Sequence, residues 1–314
     1  MYFHTAGIEV NPLIPPLVAM IISFFTSMGG VSGAFLLLPF QMSVLGFTSP
    51  SVSATNQLFN IVAIPSGVYR YIKEGRMVWP LTWIVIVGTL PGVLIGAIIR
   101  VKYLPDPKNF KLFVGIVLLY IGLRMIKDIF FKDKTNKDKQ KSSEEEFQKI
   151  VRKYKETQKK RRLPAVIVKE FSFLRISYDF YGTNFVVNTF WIFILSFTVG
   201  IIGGVYGIGG GAIIAPFFIS FLGLPVYTVA GAALMGTFVT SVAGVAFYQA
   251  IAPFYPNMAI APDWLLGFLF GLGGTIGMYF GARAQKFFPA NTIKIILVAC
   301  IFFVAAKYIV NFFT

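Results

Sequence analysis

Charge is scarce in this sequence, and acidic charge is scarcest. Of 314 residues only 13 % are charged, with 13 Asp and Glu set against 28 Lys and Arg. There is one cysteine, Cys300, and one histidine, His4. Each shortage excludes something. A lone cysteine cannot close an internal disulfide and says nothing about redox compartment. A single histidine in the N-terminal tail rules out an HExxH-like metal motif, and the apolar stretches hold no paired aspartates. Chemistry inside a membrane would need such a nucleophile, base or metal ligand set. No enzymatic activity, metal or cofactor is therefore expected. The first residues, MYFHTAGIEVNP, lack a basic n-region and lead straight into an apolar stretch, so no cleavable signal peptide is expected.

What is present is apolar surface. The chain is 56 % hydrophobic and 17 % aromatic. A soluble core stops growing near domain size and could not hide so much. Residues 12–28, 34–47, 51–69, 78–99, 185–250, 264–282 and 295–306 carry no Asp, Glu, Lys or Arg, and 109–123 carries only Lys111. A helical span needs about 20 predominantly apolar residues. Pro39, Pro65, Pro91 and Pro216 lie inside these runs. Membrane helices tolerate proline because neighbouring groups re-satisfy the freed backbone. The expected class is an all-α integral membrane protein.

The excess positive charge, +15 overall, is concentrated in a polar stretch at about 132–162. It reads as a cytoplasmic loop obeying the positive-inside rule rather than as a nucleic-acid arm. Within it Ser142 and Ser143 precede Glu145 and Glu146 at capping-box spacing, and Phe147, Ile150, Val151 and Tyr154 share a helical face. A short amphipathic helix beside anionic headgroups is expected there. The loop divides the chain into a first transmembrane repeat (1–131), the loop itself (132–183) and a second repeat (184–314). The bilayer expected is the cell's inner (plasma) membrane. The oligomer expected, if one forms, is a homodimer.

The halves repeat each other. GVSGAFLLLPF (30–40) aligns with GIGGGAIIAPF (207–217), placing Pro39 on Pro216 at an offset of 177. That offset also places Gly30 on Gly207, Gly33 on Gly210, Gly46 on Gly223 and Tyr71 on Tyr248. Further on, PGVLIGA (91–97) aligns with IGMYFGA (276–282) at an offset of 185. Internal duplication of this kind is common in secondary transporters.

Segments 12–28 and 34–47 are each short for a span, about 26 and 21 Å as helices, yet too long together for one pass. They read as a re-entrant helical hairpin with the glycines at its tip, repeated at 185–203 and 211–224. Each half then holds this hairpin plus three helices. Five apolar segments is an odd number, so the second half enters inverted. With 132–183 inside, that arrangement puts Arg70, Lys73 and Arg76 inside together with Arg283, Lys286 and Lys294, and puts 251–263, which has no basic residue, outside. The loop 100–111, with four basic residues, runs against the rule and comes out external.

A glycine-rich break, a proline six residues on, and a second copy after a basic central loop resemble the sulfite exporter TauE/SafE family, the TSUP transporters. The likeness covers nearly the whole chain outside 132–183. It is clearest in 204–248, GVYGIGGGAIIAPFFISFLGLPVYTVAGAALMGTFVTSVAGVAFY; the first copy, 27–71, departs from it at Ser32 and Ala34. The resemblance implies transport of sulfite, organosulfonates or other sulfur-containing anions.

The residues themselves suggest how an anion would be held. No Asp, Glu, Lys, Arg or His lies in 34–69 or 211–250. A buried ion pair or carboxylate proton relay is thus not expected within those helices. Helix N-termini opening after a glycine break offer N–H groups and a positive dipole end without formal charge. Gly29, Gly30, Ser32 and Gly33 of the first break and Gly207, Gly209, Gly210 and Gly211 of the second are the candidate substrate-binding residues, with close helix packing as the competing role. Asn56, Gln57 and Asn60 from the first half and Thr237, Thr240 and Ser241 from the second add amides and hydroxyls. Asn56 shares a helical face with Asn60, and Thr237 with Ser241. An anion leaving an inside-negative compartment gains about 2.3 kcal/mol per charge per 100 mV, so export needs no coupling ion. Ion-coupled import and an anion channel stay open as alternatives.

Overall fold

The computed structural model describes residues 1–130, 149, 166–180, 183–288 and 290–313. Ten α-helices run through them, five on either side of the basic segment. The first half holds α1 (Ile14–Met28), α2 (Ala34–Ser43), α3 (Ser51–Lys73), α4 (Trp79–Tyr103) and α5 (Pro107–Phe130). The second holds α6 (Thr189–Tyr206), α7 (Ile214–Leu222), α8 (Val226–Ile251), α9 (Trp264–Ala284) and α10 (Ala290–Phe313). Among the described residues α4, α6, α8 with its short continuation to Phe254, and α9 are long and apolar enough to cross a membrane. The protein is a mostly helical, multi-pass membrane protein.

Local sequence explains where the helices start and stop. The Asn188 side chain accepts from Phe190 N (2.9 Å) and Trp191 N (3.3 Å) and so caps α6. Asp263 caps α9 by accepting from Leu266 N at 3.0 Å. These carboxylate and amide oxygens satisfy donors that the first helical turn leaves free. α6 ends at Gly207 and α7 at Gly223, both left-handed. Gly30 and Gly46, which bracket α2, are left-handed too, with φ of +70° and +73° against +78° and +64° for Gly207 and Gly223. The offset of 177 read from the sequence thus pairs glycines by conformation as well as by identity.

The halves interlock, and exchanging them leaves the packing pattern unchanged. α1 lies on α9 as α6 lies on α4; α3 lies on α9 as α8 lies on α4; α3 meets α8 and α5 meets α10 across the middle. Two glycine stripes make the closest approaches. On α4, Gly88, Gly92 and Gly96 sit against the carbonyls of Phe193, Phe197 and Ile201 of α6. On α9, Gly273, Gly277 and Gly281 sit against those of Pro16, Met20 and Phe24 of α1. The stripes differ by 185 and their partners by 177, the two offsets found in the sequence. A Cβ at any of the six would collide with the facing helix. Without a hydrophobic force between helices in lipid, such close backbone approach is a main source of cohesion.

Two features depart from an all-α reading. Tyr2–Phe3 (β1) pairs with Ile8–Glu9 (β2). Ile167–Phe171 (β3), Arg175–Phe180 (β4) and Thr183–Asn188 (β5) form an antiparallel sheet in the order β3-β4-β5. Strands thus occupy the end of the expected loop 132–183, and the first helix of the second half begins at Thr189. The reason lies in RISYDF and TNFVVN, whose alternating β-branched and aromatic residues suit a half-buried strand. Ile176, Tyr178 and Phe180 are buried, and the Tyr178 hydroxyl lies 3.1 Å from Thr228 Oγ1 at the start of α8. Burial pushes the Tyr178 hydroxyl above its ordinary pKa, an effect the Thr228 contact opposes. The short helix expected at 142–154 lies, Lys149 apart, outside the described residues.

The two ends of the helical body are distinct. At one, the sheet, the 74–78 turn and the end of α9 come together: Val166 N donates to Gly75 O (3.1 Å), and Arg76 Nη1 to Gln285 Oε1 (2.5 Å). At the other, the N-terminal segment and 252–263 meet the start of α3: Ala6 N donates to Asp263 Oδ2 (3.2 Å), Ser51 N to Ala259 O (2.9 Å), and Asp263 N to Thr55 Oγ1 (2.9 Å).

Candidate functional site

Both glycine breaks turn the chain back on the helix before them. A Cβ on Gly33 would fall 2.7 Å from Ser23 Oγ of α1, and one on Gly203 of α6 would fall 2.5 Å from Gly209 O. Their tips pack reciprocally on the other half. A Cβ on Gly30 would lie 2.6 Å from Ala230 Cα of α8, and one on Gly207 would lie 2.5 Å from Ser53 Cα of α3. Ser53 and Ala230 are themselves equivalent at the offset of 177. Glycine is needed twice over here, because φ is positive and a neighbouring backbone fills the side-chain space.

Asn56 and Asn60 of α3, both fully buried, join the two breaks. Asn56 Nδ2 donates to Ala34 O (3.0 Å) in the first half and to Gly207 O (3.2 Å) in the second, and its Oδ1 accepts from Gln41 Nε2 (3.1 Å). Asn60 Nδ2 donates to Ile208 O (2.8 Å) and to Ser241 Oγ (3.1 Å), while its Oδ1 accepts from Ser32 Oγ. Ser32 Oγ also accepts from Ala34 N (3.2 Å). From the other side, the Tyr206 hydroxyl donates to Phe35 O at 2.6 Å. Backbone groups freed at a broken helix in lipid must find partners inside the protein, and these side chains supply them.

The second-half residues hold their own break. Thr240 Oγ1 accepts from Gly210 N (3.0 Å) and donates to Gly236 O (2.8 Å). Thr237 Oγ1 donates to Ala233 O at 2.8 Å. A Cβ on Gly209 would meet Ser241 Oγ at 2.7 Å, and one on Gly211 would strike Ala233 O. Gly29, by contrast, ends α1 with its N–H on Thr26 O (2.9 Å). Of the candidate residues, Ser32, Asn56, Asn60, Gly207, Gly209, Gly210, Gly211, Thr237, Thr240 and Ser241 therefore converge on one buried region. Gly29, Gly30 and Gly33 sit in the turn between α1 and α2. Gln57 is buried beside Gly244 but outside this hydrogen-bonded cluster.

Two of the break amides, Ala34 N and Gly210 N, already point at protein hydroxyls rather than at open space. A ligand taking up either of these two amides would exchange an internal hydrogen bond for its own. Sequence reasoning missed Gln41 and Tyr206. Tyr206 directly precedes Gly207, and this position was the available signal. Among the described residues no group of three His, Cys, Asp or Glu side chains is placed to hold a metal ion.

The pairing of two glycine breaks across the halves of the chain agrees with a comparison against protein families. The model for sulfite exporter TauE/SafE matches residues 16–308. The chain belongs to that family. The match runs from the first turn of α1 to near the end of α10 and includes both breaks. TauE/SafE proteins are membrane transporters. No curated protein and no solved structure matches the chain.

Proposed function

We propose that this TauE/SafE protein is a secondary transporter exporting small sulfur-containing anions such as sulfite, thiosulfate or organosulfonates. Its substrate site lies between two inverted repeats at the paired glycine breaks. The observation that carries the reading is the double bridge made by Asn56 and Asn60, which hydrogen-bond carbonyls or hydroxyls of both breaks at once. Groups that tie two hairpins together through side-chain amides can hold them closed around a ligand or let them part. The exchange pattern of the helices supports alternating access, in which one repeat rocks against the other.

An inverted relation draws support from the ends of the molecule. Gln285 lies with Arg76, and Asp263 lies with the N-terminal segment. That is the grouping expected when the first five helices cross an odd number of times. With the basic segment 132–183 cytoplasmic in a plasma membrane, the end holding Arg76 faces the cytoplasm and the end holding Asp263 faces out. Counterflow in proteoliposomes tests the carrier reading. Internal unlabelled thiosulfate or sulfite is expected to accelerate entry of labelled anion, with saturation. Flux that never saturates and shows no counterflow would point to a channel.

A further inference from the structure

Beyond Asn60 and Ser241 the seam between α3 and α8 stays polar toward the end that holds Asp263. One turn on, Gln57 lies against Gly244. One turn further, Ser53 neighbours the Tyr248 hydroxyl, and Tyr248 is within electrostatic reach of Arg100 on the last turns of α4. All four side chains are fully buried. Yet among the described residues Gln57 Oε1 and Nε2 and Arg100 Nε and Nη2 have no hydrogen-bond partner, while the Ser53 and Tyr248 hydroxyls lie beside each other. A single buried polar atom without a partner is unfavourable, and a file of them ending in a cation is more so.

Arg100 is held in a particular pose. Its Nη1 donates to Leu104 O, and its guanidinium lies 3.7 Å from the centre of the Phe110 ring. Capping the end of α4 uses that one nitrogen. The opposite edge, Nε with Nη2, is the pair of parallel donors that grips two oxygens of an oxyanion. Among the described residues no carboxylate forms an ion pair with it.

The equivalent positions in the other half are chemically different. At offsets of 177 and 185, Gln57 corresponds to Leu234, Ser53 to Ala230, Tyr248 to Tyr71 and Arg100 to Gln285. There the Tyr71 hydroxyl donates to Ser27 O (3.0 Å), and Gln285 bonds both Arg76 and Met28 O. Duplication alone therefore does not account for the polar file. Ionisable side chains buried within membrane-spanning segments are rare, and substrate paths are among the functions they mark.

We propose that Arg100, Tyr248, Ser53 and Gln57 form a binding site for a small oxyanion bearing two or more acceptor oxygens. It lies on the substrate's path between the paired breaks and the end of the molecule that holds Asp263. This rests on the reading of the chain as an anion transporter and adds the formal positive charge that the glycine breaks lack. The test uses the purified full chain in detergent, titrated with sulfite, thiosulfate and methanesulfonate while thermal unfolding is followed. Wild type is expected to melt higher with anion. Arg100→Gln is expected to melt close to wild type without anion and to lose at least about tenfold in affinity. Arg100→Lys, which keeps charge but not the paired donors, is expected to fall between. Gln57→Leu, which copies Leu234, keeps the test available if Arg100→Gln does not fold, and is expected to weaken binding. Wild-type affinity in Arg100→Gln or Gln57→Leu would overturn the site. So would an Arg100→Gln that melts lower yet keeps its full anion response, since that marks a structural anchor. If wild type transports these anions while the variants bind them normally, only this site falls. If wild type neither binds nor moves any of them, the transport reading falls with it.

Discussion

Arg76 and Arg100 stand near opposite ends of a molecule whose two halves pack alike, and they are treated differently. Arg76 is held by Glu74 (2.8 Å) and Gln285 (2.5 Å), with Tyr71 stacked 4.5 Å from its guanidinium. Arg100 has a carbonyl and a ring but no carboxylate among the described residues. The same scaffold thus carries at one end a cluster in which Glu74 pairs with both Arg70 and Arg76, and at the other a cation with no such carboxylate among the described residues. Symmetry fixes where groups sit, while the chemistry of each end is free to diverge.

The sharpest way to break this contrast is to remove a charge at each end. Arg76→Ala should destabilise the protein by about 1–3 kcal/mol, because it removes one of the two arginines paired with Glu74 and takes the Arg76 donor from Gln285 Oε1. Arg100→Gln should cost little, so equal losses in detergent unfolding would show the ends to be alike. The symmetry itself is sharpened by Gly96→Ala and Gly281→Ala, equivalent contacts of α4 on α6 and α9 on α1. Each should cost about 1–3 kcal/mol by overpacking, and a large difference between them would break the equivalence. Asn60→Ala, which opens the bridge between the breaks, should cost about 1–2 kcal/mol. Thr237→Ala at the equivalent position breaks only a bond within its own helix and should cost about 0.6 kcal/mol. Smallest, Asn188→Ala removes the α6 cap and should lower stability by about 0.5–1 kcal/mol.

The duplication was legible because glycine in a left-handed turn cannot easily be replaced. Gly30, Gly46, Gly207 and Gly223 all kept positive φ, and the sequence offset found them. Asn60 and Ser241 were legible as polar residues on otherwise apolar helices, and they meet at 3.1 Å. The sheet at 167–188 was hidden by its neighbour, since a strongly basic stretch drew attention to charge and away from the alternation in RISYDF. Arg100 was hidden by position. In sequence it belongs to a run of basic residues that reads as a loop, and only folding takes it from that loop into contact with Phe110 and within reach of Tyr248. The breaks themselves carry no formal charge, whereas the site proposed one helix away includes Arg100.

Voltage-dependent sulfite flux in proteoliposomes tests the central claim most directly. The account predicts efflux that carries net negative charge, accelerates when the sulfite-loaded compartment is made negative, and saturates with concentration. Flux indifferent to the imposed potential, or no movement of sulfite, thiosulfate or a small sulfonate, would contradict it.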